Sequence, residues 1–230
     1  MKAILLDIEG TTTPIDFVHK TLFPYAKEKI GEFVLANWVS LSVEVAQLTE
    51  EFKTELEFPE TFDCASPDSI AKYLRFLIDA DRKSTPLKSI QGKLWLKGYE
   101  SGELRSIVYD DVPAALERWF YAGETIAIYS SGSVLAQKLI FRYSNHGDLT
   151  PFISAYFDTN IGAKRETASY EGIACELGTD RSKIKFFSDI VAELDAAKRA
   201  GFQTTLVERG GHRNADKENG HARISTFRAE

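Results

Sequence analysis

The sequence has few cysteines and no histidines at metal-ligand spacing. Cys64 and Cys175 are the only cysteines in 230 residues, and they lie far apart in the chain. This excludes a disulfide framework and a Cys-x-x-Cys metal site, and it fits two buried thiols in a reducing compartment. Metal-ligand spacing is also absent among the four histidines, at positions 19, 146, 212 and 221.

Basic clusters and long apolar runs are missing as well. The net charge is −6 and no basic block reverses it locally, which argues against nucleic acid or a membrane surface as a partner. No apolar segment is long enough to span a bilayer, and no signal-like stretch precedes the first strand. No heptad stripe is visible either. We therefore expect a cytoplasmic monomer, with enough chain for a substantial core.

The segment from Ala3 to Thr13 begins as a strand and ends in polar residues. Ala3 to Leu6 is a short apolar run without helical periodicity, typical of a strand buried on both faces of a parallel sheet. Asp7 and Glu9 follow, and then Gly10, which lets the backbone approach a ligand closely. Ligands of open α/β sheets bind beyond the carboxyl ends of the strands, so Asp7 is a candidate nucleophile or metal ligand. An isolated Asp-x-Glu is more often a plain strand end, and the interpretation therefore needs partners.

The chain from about residue 16 to residue 107 has a helical pattern and no convincing strand. Ser66-Pro67-Asp68 and Thr85-Pro86 are helix-start signals. A buried stripe at helical spacing follows the first of them, at Ile70, Tyr73, Leu74, Leu77 and Ile78. We predict a catalytic α/β domain of residues 1–15 and 108–230, interrupted after its first strand by an all-helical domain of residues 16–107.

The remainder alternates strands and helices. Apolar runs at 125–129, 155–157, 183–187 and 203–207 predict four more strands with helices between them. This alternation predicts an α/β fold with a parallel sheet and right-handed crossovers. We take the sheet to be doubly wound and Rossmann-like, with the strand order 3-2-1-4-5. The tail from residue 210 to 230 is polar and Gly-rich as far as Ile224, which indicates a surface excursion with a short ordered end.

Polar groups suited to a single task follow four of the predicted strands: Asp7 and Glu9, Ser130 and Ser131, Lys164, and Asp189. In the predicted order, strands one and four are neighbours, so Asp7 and Asp189 converge. Two close carboxylates, with water and a phosphate oxygen, are ligands that Mg²⁺ prefers, and without a cation they would repel each other. Serine hydroxyls and backbone N–H groups at a helix start suit phosphate oxygens, and Lys164 adds a positive charge.

Each of these residues also has an ordinary structural interpretation. The serines and Asp189 could be helix N-caps, and Lys164 could be a solvated surface lysine. Glu193, one turn beyond Asp189, could be an exposed helix acid or a partner that orients the metal ligands. Their occurrence together, in one order and at strand ends, favours the functional interpretation.

The ordered motifs resemble those of the haloacid dehalogenase-like hydrolases. They are Asp-x-Glu-Gly-Thr, Ser-Ser-Gly-Ser after a strand, a lysine before a helix, and Phe-Phe-Ser-Asp. A closer resemblance, over nearly the whole chain, is to the enolase-phosphatase (acireductone synthase) family of methionine salvage. It rests on Asp7–Ile15, Gln91-Gly92, Trp95, Gly98-Tyr99 and Tyr109-x-Asp111-Val112-Pro113. Most members of the superfamily have Asp at the second acidic position, whereas Glu9 matches the enolase-phosphatase branch.

The resemblance implies a two-step reaction on 2,3-diketo-5-methylthiopentyl-1-phosphate. Enolisation comes first, and Mg²⁺-dependent dephosphorylation then gives the acireductone 1,2-dihydroxy-3-keto-5-methylthiopentene. It implies that Asp7 forms an aspartyl-phosphate, that Glu9 is general acid and then base, and that the helical insertion is a cap. One Mg²⁺ ion would be held by Asp7, the backbone carbonyl of Glu9 and Asp189, and the phosphate by Ser130, Ser131 and Lys164.

Several points stay open at this stage. The base for enolisation is either Glu9 or a residue of the cap. Phe17, Trp95 and Tyr99 could line a pocket for the methylthio tail or could pack in the core. The alternative enzyme is a capped phosphatase for another small phosphate ester. A dehalogenase and a phospho-accepting signalling domain fit less well, since the first has no need of a residue like Glu9 and the second has no long helical insertion.

Overall fold

The computed structural model describes residues 2–211 and 220–229, so that part of the predicted tail lies outside the described residues. The chain divides into two compact units. One comprises Met1–Phe17 and Arg105–Glu230, and the other comprises Val18–Leu104. The predicted α/β fold with a helical insertion after the first strand is confirmed. Within the described residues, no helix is both long enough and apolar enough to cross a membrane.

The first unit is built on a six-stranded sheet in the order β3-β2-β1-β4-β5-β6, with every neighbouring pair parallel. The strands are β1 (Ala3–Leu6), β2 (Thr125–Tyr129), β3 (Ala155–Phe157), β4 (Ile184–Ser188), β5 (Gln203–Val207) and β6 (Ala222–Ile224). The predicted order of five strands is therefore confirmed, but the sequence prediction missed β6. Its three residues are exposed or half-buried and are too few to show a clear alternation of apolar and polar side chains. The strand forms because its backbone pairs with β5.

Helices cover the sheet on both faces, as expected for a doubly wound fold. After a short turn of helix, α1 (Ile15–Phe17), the helices of this unit are α6 (Val112–Tyr121), α7 (Val134–Arg142), α8 (Thr167–Glu176) and α9 (Val191–Arg199). All four residues of β1 are buried, because this strand has a neighbour on each side and packing on each face. The end of β1 is thus fixed at the centre of the sheet.

The second unit is all helical. It contains a π-helical turn (Val18–Leu22), α2 (Phe23–Asn37), a 3₁₀ turn (Trp38–Leu41), α3 (Ser42–Phe52), α4 (Pro67–Asp79) and α5 (Thr85–Glu100). Ser66 caps α4 as predicted, whereas the cap of α5 is Ser84, one residue before the predicted Thr85. An aromatic cluster packs around the buried Tyr73 in this unit, and its members are Phe52, Phe58, Phe62, Tyr73 and Phe76.

Two local predictions had different outcomes. Phe17, Trp95 and Tyr99 are all buried, and Trp95 donates its indole N–H to the carbonyl of Leu22 at 3.0 Å, which supports core packing. The prediction of buried thiols is wrong, because Cys64 and Cys175 are both exposed. Cys64 lies in the irregular segment before α4 and Cys175 near the end of α8, where local sequence gives little sign of which face meets solvent.

Candidate active site

The turn after β1 presents Asp7 and Glu9 at the carboxyl edge of the sheet. The amide N–H groups of Thr11, Thr12 and Thr13 all donate to the carbonyl of Ile8, at 2.9 to 3.2 Å. The hydroxyl of Thr12 donates to the carbonyl of Asp7 at 3.1 Å. Because the turn is wound so tightly on itself, the two acids have little backbone freedom.

Gly10 allows this turn to form beside β4. Its φ is +73°, a conformation that side-chain-bearing residues rarely adopt. A Cβ atom at this position would collide with the carboxylate of Asp189. The glycine therefore brings Asp189, just after β4, against the loop that carries the first two acids.

Lys164 joins two carboxylates. Its ammonium nitrogen lies 2.5 Å from Asp7 Oδ1 and 2.7 Å from Glu193 Oε2, and its side chain is only 10% exposed. The hydroxyl of Tyr170 donates to the backbone carbonyl of Lys164 at 2.7 Å and holds the loop in place. Burial alone would lower the pKa of Lys164, but Asp7 and Glu193 outweigh burial and raise it. Lys164 is therefore a fixed positive charge.

Glu9 reaches the end of the neighbouring strand β2. The hydroxyl of Ser130 donates to the Glu9 carboxylate at 3.2 Å. The Ser130 oxygen in turn accepts a hydrogen bond from the N–H of Gly132 at 3.1 Å. Burial, and secondly the charge of Asp7, raise the pKa of Glu9, and Lys164 and Ser130 oppose them only in part. A raised pKa keeps a carboxyl group protonated more readily, which suits a general acid.

Asp189 and Glu193 complete a cluster of acids. Burial, and then the nearby Asp7, raise the pKa of Asp189 to about 7. Its Oδ1 atom is buried and has no hydrogen-bond partner among the residues that the structure describes. Glu193 accepts a hydrogen bond from Ser188 at 3.0 Å, and its pKa is raised by burial against the opposing effect of Lys164.

This donor set fits a divalent cation. Four carboxyl groups lie near Lys164, and two of them, Asp7 and Glu193, contact it; the others are Glu9 and Asp189. The buried Asp189 oxygen, without a partner among the described residues, needs a donor or a cation. The described residues contain no group of three or more His, Cys, Asp or Glu side chains arranged to hold a metal. The predicted ligands differ from such a group, since they are two carboxylates and one backbone carbonyl, and Mg²⁺ commonly keeps waters in its remaining positions.

The structure brings most of the predicted site residues together and adds one that the sequence did not indicate. Ser131 lies on the same loop as Ser130 and is exposed. Gln137, buried in α7, donates to the carbonyls of Gly132 and Phe157, both at 2.8 Å, and so ties this loop to β3. A glutamine within a helix carries no sequence signal for such a role.

Comparisons with known proteins identify relatives of the whole chain. The model of the haloacid dehalogenase-like hydrolase family matches residues 1–201. Enolase-phosphatase E1 of Leptospira borgpetersenii is 50% identical over 97% of this chain and 95% of its own length. The protein of that name from Synechococcus elongatus is 51% identical over 91% and 89%. The one from Drosophila melanogaster is 47% identical over 92% and 84%.

Solved structures show the same fold. The UTR4 protein of Saccharomyces cerevisiae superposes with a TM-score of 0.77 at 34% identity, covering 98% of both chains. CbbY from Rhodobacter sphaeroides, solved in complex with phosphate, has a TM-score of 0.61 over 100% of this chain and 96% of its own. At 15% identity, this second similarity shows the fold alone.

Proposed function

The chain belongs to the enolase-phosphatase E1 family of haloacid dehalogenase-like hydrolases, and we propose that it makes the acireductone of methionine salvage. The substrate is 2,3-diketo-5-methylthiopentyl-1-phosphate, which is enolised and then dephosphorylated. The observation that carries the proposal is the placement of Asp7 and Glu9 on one tight turn. Lys164 forms an ion pair with Asp7, and Ser130 donates a hydrogen bond to Glu9.

Asp7 is the nucleophile of the phosphatase step in this proposal. A carboxylate oxygen attacks phosphorus, the bond from phosphorus to the enol oxygen breaks, and Glu9 gives its proton to that oxygen. Glu9, now a carboxylate, then takes a proton from the water that attacks the aspartyl-phosphate. Inorganic phosphate leaves, and both acids return to their starting forms. Lys164, Ser130 and Ser131 hold the phosphate oxygens, and Glu193 orients Lys164.

Mg²⁺ is the proposed cofactor, one ion for each chain. Asp7, the backbone carbonyl of Glu9, and Asp189 would hold it, and when bound it supplies positive charge against the transferring phosphoryl group. The unpartnered buried oxygen of Asp189 supports this assignment.

Enolisation requires a base that removes a proton from C1 of the diketone. We propose that the Glu9 carboxylate takes the C1 proton, because Glu9 lies on the same turn as Asp7, and that solvent supplies the proton gained by the C2 oxygen. Glu9 is then protonated for its role as general acid; a residue of the helical insertion is the alternative base. The domain of residues 16–107 is proposed as the cap that excludes water and selects the substrate. We further propose that the protein acts as a cytoplasmic monomer, a state that light scattering during size-exclusion chromatography tests.

The test is a spectral assay with the diketone phosphate and Mg²⁺ that follows enol, acireductone and phosphate. Wild type is compared with Asp7→Asn and with the matched control Asp158→Asn, since Asp158 also follows a strand and its carboxylate accepts a hydrogen bond from the N–H of Asn160 in its own loop. We expect wild type and the control to form the acireductone, and we expect Asp7→Asn to release no phosphate. If Asp7→Asn accumulates the enol, Asp7 is not needed for proton removal, as expected when Glu9 or a residue of the helical insertion is the base. If wild type cleaves only generic phosphate esters, the substrate assignment fails.

A further inference from the structure

Tyr109 and Asp111 belong to the motif that resembles the enolase-phosphatase family, yet the proposed chemistry uses neither. Both contact Arg209, which lies two residues after β5. The guanidinium carbon of Arg209 is 4.4 Å from the centre of the Tyr109 ring and 4.9 Å from that of Phe227. Its Nη1 donates to Asp111 Oδ2 at 2.8 Å. This ion pair is buried on both sides and is therefore little screened by water.

The other two guanidinium nitrogens of Arg209 hold the turn that carries Asp7 and Glu9. Nε and Nη2 both donate to the carbonyl of Thr11, at 3.0 and 2.9 Å. Thr11 is fully buried, and its own N–H closes the turn on the carbonyl of Ile8. A shift of Thr11 would therefore move the backbone of both acids.

Asp111 fixes the orientation of the guanidinium. Its Oδ2 atom also accepts hydrogen bonds from the Thr226 hydroxyl at 2.8 Å and from the Phe227 N–H at 2.6 Å. The guanidinium group is planar and presents a rigid fork of donors, whereas a lysine ammonium is a point charge on a flexible chain. Only arginine can hold one carbonyl with two donors while a third binds Asp111.

We propose that Arg209, oriented by Asp111, is a positioning residue that fixes the turn bearing Asp7 and Glu9 and so sets the rate of phosphoryl transfer. This inference rests on the proposed function, because it takes those two acids as the reacting groups. A misplacement of about 1 Å can cost about 10²-fold in rate, so loss of Arg209 lowers kcat about tenfold to hundredfold. KM changes little, since Lys164 and Ser130 are held by other contacts.

The experiment compares Arg209→Met and Arg209→Lys with the control Arg181→Met. The control removes an arginine of the same unit that forms an exposed ion pair with Glu171 and leaves the pairing of Arg209 with Thr11 in place. Each Mg²⁺-loaded protein is assayed with the diketone phosphate and with p-nitrophenyl phosphate, well below the melting temperature of every variant. We expect kcat to fall in both Arg209 variants, less in Arg209→Lys, and to stay within about twofold of wild type in Arg181→Met.

Equal kcat values in the Arg209 variants and the control, or a loss confined to KM, would overturn the inference. If Arg209→Met does not fold, Arg209→Lys decides by the same comparison. If wild type ignores the diketone, the proposed substrate fails, and the positioning role is judged on p-nitrophenyl phosphate alone. If wild type hydrolyses neither compound, both proposals are wrong.

Discussion

Single residues at the carboxyl edge of the sheet differ in chemistry because their surroundings differ. Lys164 is kept charged by two carboxylates, whereas burial favours the protonated form of Glu9. One buried cluster therefore contains a permanent cation and a readily protonated acid, which is the pairing that phosphate-ester cleavage needs. Substitutions of these two residues should consequently have different signatures.

Replacement of Lys164 by Met should damage both stability and activity. Asp7 and Glu193 would be left as buried carboxylates without a counter-charge, a change that typically costs about 3–5 kcal/mol of unfolding free energy. Phosphate release should fall at least about 10²-fold, because a preorganised positive charge is lost. Urea unfolding and a phosphate assay measure the two effects. Lys183→Met, at an exposed lysine of the same unit, is the control and should match wild type.

Replacement of Glu9 by Gln should depend on the leaving group. Gln cannot donate a proton, so turnover of an alkyl phosphate should fall about 10²–10⁴-fold. p-Nitrophenolate leaves without protonation, so formation of the aspartyl-phosphate from p-nitrophenyl phosphate should be much less affected. A stopped-flow burst of p-nitrophenolate measures that step. If the rate of aspartyl-phosphate formation falls by the same factor with the alkyl phosphate and with p-nitrophenyl phosphate, Glu9 is not the general acid.

At the scale of an element, the turn at residues 8–13 depends on glycine for two separable reasons. Gly10 and Gly123 both have positive φ, at +73° and +75°, but only Gly10 has a neighbour that an added Cβ would strike. Gly123→Ala should therefore cost about 1–2 kcal/mol from backbone strain alone. Gly10→Ala should cost a similar amount from backbone strain, but it should also abolish phosphate release, because the Asp189 carboxylate must move. Phosphate release by Gly10→Ala at the level of Gly123→Ala would contradict this account.

Helices α3 and α5 are joined by a buried acid in the second unit. Glu44 accepts hydrogen bonds from Lys93 at 2.5 Å and from Ser89 at 2.7 Å. Burial would raise its pKa, but these hydrogen bonds outweigh burial and lower the pKa below the ordinary 4.5. A depressed pKa in the folded state means that the charged form stabilises the protein above pH 4.5 and that this stability is lost as the pH falls.

Glu44→Gln should therefore destabilise the protein by about 1–3 kcal/mol at neutral pH. The difference from wild type should shrink below pH 4.5, where the wild-type carboxylate becomes protonated. Urea unfolding at several pH values measures it. Glu50→Gln is the control, because Glu50 lies on the same helix in an exposed pair with Lys53 and should contribute less than about 0.5 kcal/mol. A pH-independent difference would show that the charge of Glu44 is not the cause.

For the whole molecule, the excess of carboxylates at the sheet edge predicts a dependence of stability on Mg²⁺. A ligand that binds only the folded state at 100 times its dissociation constant adds about 2.7 kcal/mol. We expect Mg²⁺ to raise the melting temperature and EDTA to reverse the rise. Asp189→Asn should abolish the effect, and in EDTA it should melt no lower than wild type, because a repelling carboxylate is gone. An unchanged Mg²⁺ response in Asp189→Asn would contradict the ligand assignment, and Asp158→Asn is the control.

The sequence by itself determined the features that depend on local pattern. The apolar run of β1, its abrupt end at Asp7, and the glycine at position 10 predict a buried strand with acids at its carboxyl end, because hydrophobic periodicity and backbone permissiveness are short-range properties. The alternation of strands and helices predicted a parallel sheet with right-handed crossovers. The order 3-2-1-4-5, one of the doubly wound orders, then predicted that β1 and β4 are neighbours and that Asp7 lies near Asp189.

Only the tertiary structure decided which distant groups meet. The sequence predicted that Lys164 and Asp7 share a site, but it did not predict the direct ion pair between them. It gave no sign that Arg209, 198 positions from Thr11, contacts the turn. The pairing of Gln137 with two loop carbonyls, the short strand β6 and the exposure of the cysteines are likewise products of packing. Hydrogen bonds of this kind depend on where the folded backbone leaves a donor or acceptor buried, and that is a property of the whole chain.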